Sequence, residues 1–186
     1  MQTPLFTRYA HYRSREERNR YCAGLIREKG FGGPILNLGS GGQKFLKTAL
    51  APHGYQITDM DIWGEVDVKI NLERDMPLPA ADKSFETAVC LDVLEHIENF
   101  HAVFNELLRV TRGHVIISLP NPSAVYFRNI LFDKQYFEGP QRKEHGKYEK
   151  YYGLPFEAPP DRHKWFFCYD EALEFFEHHA AHKGYR

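Results

Sequence analysis

The chain is short of cysteine, of surplus charge and of long apolar runs. Its 186 residues hold three cysteines, Cys22, Cys90 and Cys168, odd in number and widely separated. That pattern excludes a disulfide framework and a CxxC metal site, and it suits a reducing compartment. Twenty-four Lys and Arg stand against 25 Asp and Glu, a formal net charge of −1. The basic excess usual in nucleic-acid-binding proteins is missing, and no nucleic-acid partner is expected. No apolar run approaches the roughly 20 residues that span a bilayer; the longest are strand-length pieces such as Val115-Ile116-Ile117. Met1 to Ser14 lacks the apolar core of a signal peptide. Repeats and linkers are missing too. What is present is a globular composition, 42% apolar and 15% aromatic, which excludes a disordered or fibrous chain. These features predict one soluble, cytoplasmic domain over residues 1–186, with no membrane partner.

The pattern along the chain alternates helix and strand. Residues 14–29 read as a helix with Tyr21, Cys22, Leu25 and Ile26 on one face. Ile35 to Leu38 reads as a buried strand, followed by the turn Gly39-Ser40-Gly41-Gly42 and a helix with Phe45, Leu46, Ala49 and Leu50 inward. Strands are predicted at Tyr55 to Met60, Val66 to Ile70 and Phe85 to Leu91. Phe100, Val103, Phe104, Leu107 and Leu108 mark an amphipathic helix that Gly113 stops, before a buried strand from His114 to Leu119. A last helix is predicted over Glu171 to His182, with Asp170 as its N-cap and Leu173, Phe176 and Ala180 inward. The predicted fold class is α/β: a doubly wound, mostly parallel sheet with helices on both faces. Residues 123–165, rich in Tyr, Phe, Gly and Pro, read as a lid or substrate insertion with a short helix near 124–132.

The chemistry is expected at the turn after the first strand. Glycines at 39, 41 and 42 let backbone amides approach a ligand, and the following helix points its N-terminus there. The dinucleotide fingerprint GxGxxG would need glycine at the position of Lys44, and GxxxxGK[ST] is missing. An acid about 20 residues after such a turn can accept hydrogen bonds from both ribose hydroxyls. Asp61 fits that role, with Asp59 as its competitor.

Ile35-Leu36-Asn37-Leu38-Gly39-Ser40-Gly41-Gly42 resembles the first motif of the class I S-adenosylmethionine-dependent methyltransferases. Leu72 to Pro79 with Asp82-Lys83-Ser84-Phe85-Glu86 is similar to that family's loop and fourth strand, and Val93-Leu94-Glu95-His96-Ile97 to its post-strand element. Arg109-Val110, a short turn and Ile116 to Asn121 resemble its fifth strand. The likeness runs in one order from about residue 35 to 122. Three positions depart from it: Asn37 replaces the usual acid of the first strand, Gln43 a common third glycine, and Asn71 an Asp found in many relatives.

The resemblance implies a Rossmann-like methyltransferase fold and S-adenosyl-L-methionine as cofactor, with methyl transfer to an unidentified small-molecule acceptor. It places Asn37, Gly39, Ser40 and Gly41 at the methionine end, Asp61 at the ribose, Ile62 against the adenine, and Asn71 and Leu72 at the adenine edge. Leu91 and Asp92 fall near the reacting methyl. His96 is the candidate proton acceptor. His163, in the cluster Asp161 to Phe166, is the candidate that closes over the acceptor, the other reading being a loop anchored by Trp165. No metal is expected, because His178, His179 and His182 read as a solvated helix face. A second reading is a non-catalytic cofactor-binding or interaction module on the same fold, which Asn37, Gln43 and the short C-terminus favour. A nucleotide-sugar or NAD enzyme on a related fold is a third, opposed by Lys44. The family usually ends with an antiparallel strand pair, which is not expected here, since only Lys183-Gly184-Tyr185-Arg186 follow the last predicted helix. The strand at His114 to Leu119 is therefore expected at a sheet edge, covered by residues 123–165, by a homodimer partner, or left bare in a truncated, marginally stable chain.

Overall fold

Helix α1, Arg15–Lys29, starts where the Ser14 hydroxyl accepts from the Glu17 amide at 3.1 Å, an N-cap that satisfies one of the unpaired amides of the first turn. It stops at Gly30, whose left-handed backbone (φ 65°) lets its amide return to the Ile26 and Arg27 carbonyls. The computed structural model describes residues 10–121, positions 123, 127 and 131, and residues 163–183, without the side chains of 181–183.

The remaining elements are β1 (Ile35–Leu38), α2 (Phe45–Leu50), β2 (Ile57–Asp61), β3 (Val68–Lys69), β4 (Phe85–Leu91), α3 (Phe100–Val110), β5 (Thr111–Ser118) and α4 (Tyr169–Lys183). The sheet order is β3-β2-β1-β4-β5, and every described pairing is parallel. The predicted α/β class with helices on both faces is therefore what the chain adopts. Period-2 alternation divides the core: Ile35, Val89 and Leu91 pack with Cys22, Ile26, Leu46 and Leu50 of α1 and α2. Leu36, Leu38, Ala88 and Cys90 pack on the other face with Phe100, Val103, Phe104 and Leu107 of α3. Phe175 and Phe176 of α4 join this second layer, with ring centroids 5.2 and 5.5 Å from Phe104.

Several boundaries move. The second strand runs Ile57–Asp61 instead of Tyr55 to Met60, and the third shrinks to Val68–Lys69. The expected turn at Thr111-Arg112-Gly113 is strand. α3 passes into β5 without a loop, and an extra residue is absorbed by a bulge, since Phe85 pairs with Thr111 but Thr87 with His114. The helix needs no glycine stop because Lys83 supplies one: its Nζ donates to the Leu108 and Thr111 carbonyls at 3.2 and 2.9 Å, and its amide to the Arg109 carbonyl at 2.9 Å. Asp170 is not the N-cap of α4; the helix already includes Tyr169, so Asp170 lies in the first turn, where its charge still favours the helix dipole. Among the described residues β5 is an edge strand, as expected. The proposed cover at 123–165 and the short helix near 124–132 lie almost wholly outside the described residues. No described helix is long and apolar enough to cross a membrane.

Candidate functional site

The carboxyl ends of β1, β2 and β4 come together, where open α/β sheets bind ligands. Gly39 leaves β1 with φ 75° and its amide bonded to the Met60 carbonyl at 2.8 Å. A Cβ on Gly39 would stand 2.1 Å from Val93 Cγ2, so only glycine lets the turn lie against the segment after β4. Gly42 meets Gly64 in the same way: a Cβ there would lie 2.5 Å from the Gly64 Cα.

Asp61 ties these loops together. Its Oδ2 accepts from the Gly41 amide at 2.7 Å and its Oδ1 from the Trp63 amide at 2.8 Å. An ionised carboxylate has about four acceptor positions, so each oxygen keeps capacity for one more donor. Beside it, the Ser40 hydroxyl is buried without a hydrogen-bond partner. Ile62 and Trp63 stand 43% and 70% exposed just past the strand end, apolar surface of the kind a flat ring would cover. Asp59, the competitor, points elsewhere: it is buried, and its Oδ1 accepts from Asn37 Nδ2 at 2.7 Å. Burial raises the Asp59 carboxyl above its ordinary value. The amide at position 37 thus faces a carboxylate carried one strand over, its register partner on β2. Asp67 continues the chain, accepting from the Asp59 amide at 2.8 Å and from Lys47 Nζ.

The predicted helix N-terminus contributes little. α2 is six residues long and has no side-chain cap. Its short run of aligned peptides makes a weak dipole, and the site rests on the turn's own amides.

On the β4 side Leu91 is buried, and Asp92 holds a left-handed backbone (φ 51°). Asp92 Oδ1 accepts from Ser118 Oγ at 2.5 Å, and Oδ2 forms an ion pair with Arg18. Arg18 was missed by sequence reasoning; nothing in its spacing within α1 marks it. The ion pair fastens the start of α1 across the mouth of the site, and Arg15 Nη1 lies 3.3 Å from where a Gly41 Cβ would be. Arg18 Nε is buried without a partner. Asn71 is half-buried, its Oδ1 accepting from the Glu73 amide at 2.9 Å, and Leu72 is buried in the core. Cys22 and Cys90 are buried and free; burial pushes the Cys22 thiol up to about 12 and Cys90 higher still, which disqualifies both as thiolate nucleophiles.

His96 and His163 meet, although nothing in their spacing required it. Their rings stand edge to face with centroids 4.7 Å apart. Glu95, 1% exposed, presents Oε1 3.6 Å from His96 Nε2. The segment carrying His163 is pinned on its C-terminal side. Lys164 donates its amide to the Glu95 carbonyl at 2.6 Å and pairs with Glu73, and Trp165 Nε1 donates to the Ile97 carbonyl at 2.7 Å. Trp165 therefore anchors this segment, the second of the two readings offered for it. Burial raises the Glu73 carboxyl, but the Glu98 amide and Lys164 outweigh it and hold the group below its usual value. The helix face expected to carry solvated histidines is mixed: His178 is exposed, whereas His179 packs on Phe104 and Phe175 at 5.1 and 4.5 Å. The His182 side chain lies outside the described residues.

A five-stranded parallel sheet with a glycine turn after its first strand and an acid ending its second defines a Rossmann-like α/β domain. A family model described as a methyltransferase domain matches residues 6–173, and the chain belongs to that family. No curated protein matches the chain.

Proposed function

We propose that this chain transfers a methyl group from S-adenosylmethionine to a small-molecule acceptor. The observation that carries the reading is Asp61, whose carboxylate joins the Gly41 turn to the end of β2 and keeps acceptor capacity on both oxygens. Two orphaned polar groups, Ser40 Oγ and Arg18 Nε, lie nearby, and they suit the charged methionine end of that cofactor. When bound, the cofactor supplies an electrophilic methyl on a sulfonium, so the protein's task is largely alignment, which can contribute up to roughly 7–11 kcal/mol.

Asp61 accepts from the ribose hydroxyls while Gly39, Ser40 and Gly41 line the amino-acid end. Asn37, near the end of β1 below the turn, is held by Asp59. Ile62 covers the adenine, and Asn71 meets its edge together with the backbone of Leu72, whose side chain lies in the core. Leu91 and Asp92 border the reacting centre. Asp92 already holds Arg18 and Ser118, so it orients its neighbours. His96 and His163 stand on the acceptor side, where an imidazole can take the proton that a hydroxyl or amine acceptor releases.

Calorimetric titration with S-adenosylhomocysteine tests the reading. The parent chain binds it and does not bind NAD, and Asp61→Ala weakens it by about 10- to 150-fold, the equivalent of about 1.5–3 kcal/mol for lost hydrogen bonds to a charged group. Asp59→Asn leaves affinity within a few-fold. A parent chain that ignores S-adenosylhomocysteine would sink the proposal, and transfer of labelled methyl into a cell extract separates an enzyme from a binding module.

A further inference from the structure

The cluster at the acceptor side has a donor set that neither histidine nor carboxylate needs for methyl transfer alone. Glu95, His96 and His163 each offer one ligand atom, and these atoms all lie within 4.8 Å of one another. Ligands about 2.0–2.2 Å from one ion stand roughly 3–4 Å apart in tetrahedral or octahedral geometry, and the 3.6 Å between Glu95 Oε1 and His96 Nε2 already meets that. We propose that Glu95, His96 and His163 bind a first-row divalent metal ion.

Three observations support this. Two imidazoles and one carboxylate form a set suited to zinc, iron, cobalt or manganese, and a poor one for calcium. Glu95 is 1% exposed, and buried carboxylates in proteins are found paired or bound to metal ions. The backbone around the cluster is fastened by the Lys164 amide on the Glu95 carbonyl and by Trp165 on the Ile97 carbonyl. Fastening of this kind holds ligands in place around a metal. The three residues come from two stretches of chain, so the site exists only in the fold.

Three protein ligands leave coordination positions open. His96 and His163 are half-buried, so the cluster is not sealed from solvent. An acceptor oxygen bound at an open position is fixed in place and made more acidic. Its proton then leaves to water, and the two imidazoles act as ligands in place of the proton-accepting role they have without the ion. This use of the ion rests on the methyl-transfer reading, whereas binding of the ion does not.

Cobalt(II) titration of the full chain, stripped with chelator, tests the proposal by visible absorption. One equivalent is expected to bind and produce a d–d band. His163→Ala is expected to weaken binding at least 10-fold and to change the band, while His178→Ala leaves both unchanged. Thermal melts run alongside: cobalt raises the midpoint of the parent chain and fails to raise that of His163→Ala. Should Glu95→Gln not fold, His163→Ala and His96→Ala carry the test. Absence of stoichiometric binding by the parent, or parent-like binding by folded His163→Ala, would overturn the proposal. S-adenosylhomocysteine affinity, measured on the same samples, reports separately on the methyl-transfer reading.

Discussion

Two halves of the carboxyl edge are built in different ways. The half around Asp61 is made of backbone: the Gly41 and Trp63 amides, and glycines that allow loops to touch. Its parts follow one another closely along the chain. The half around His96 is made of side chains, Glu95, His96 and His163, assembled from distant stretches and pinned by Lys164 and Trp165. A site built on backbone amides tolerates few changes at its glycines or at the one carboxylate, Asp61, that gathers those amides. A side-chain-built site depends on the identity of each ligand and on whatever holds the second stretch in place.

The contact where the halves meet should break most dramatically. Gly39→Ala is expected to cost about 1–3 kcal/mol for overlap with Val93, plus about 1–2 kcal/mol for the left-handed backbone, read as a lower denaturant midpoint. Adding Val93→Ala should recover the first part and not the second. Full recovery would mean that the backbone strain is unimportant. A smaller effect should separate the halves. Trp165→Phe removes the bond to the Ile97 carbonyl, about 1 kcal/mol, and should speed amide exchange at Ile97 and Lys164. S-adenosylhomocysteine affinity should stay within about twofold, and a large loss of that affinity would show the halves to be coupled.

The smallest effect is in pH. Asp59 has a raised carboxyl, so its folded state favours the protonated form. Its contribution to stability is fully present below the unfolded value of 3.8 and declines as pH rises through the higher folded value. Glu73 has a lowered carboxyl. Its contribution is present above the unfolded 4.5 and is lost as pH falls through the folded value. Asp59→Asn and Glu73→Gln should therefore flatten the stability profile in opposite senses, Asp59→Asn above pH 3.8 and Glu73→Gln below 4.5. Denaturant midpoints measured between pH 3 and 6 would check it, and slopes of the same sign would contradict it.

What could be read from sequence follows the same division. Gly39, Gly41 and Asp61 lie close together along the chain, and local periodicity placed β1, β4 and α3 within about two residues of their observed ends. Thr111-Arg112-Gly113 misled because Gly113 suggested a helix stop. A Cβ there would come within 2.6 Å of the Glu86 carbonyl oxygen, which is fixed in β4, a tertiary reason for glycine invisible in the local pattern. Arg18 and the meeting of His96 with His163 are tertiary in the same sense. Hydrophobic spacing records which face of a helix is buried, and it carries no record of which charged groups find each other across the edge of a sheet.

The contact between Gly42 and Gly64 bears on how such a chain can vary. Each occupies the space the other would need for a side chain, with a built Cβ at either position coming within 2.5 Å of the opposite Cα. The first substitution at either position has to part the two loops, whichever is changed. Once they are parted, a second substitution meets less resistance, so the cost of the double replacement falls short of the sum of the single ones. The two positions are therefore coupled through the space they share, while each keeps a reason of its own to stay glycine, since both hold a left-handed backbone (φ 67° at Gly42 and 76° at Gly64).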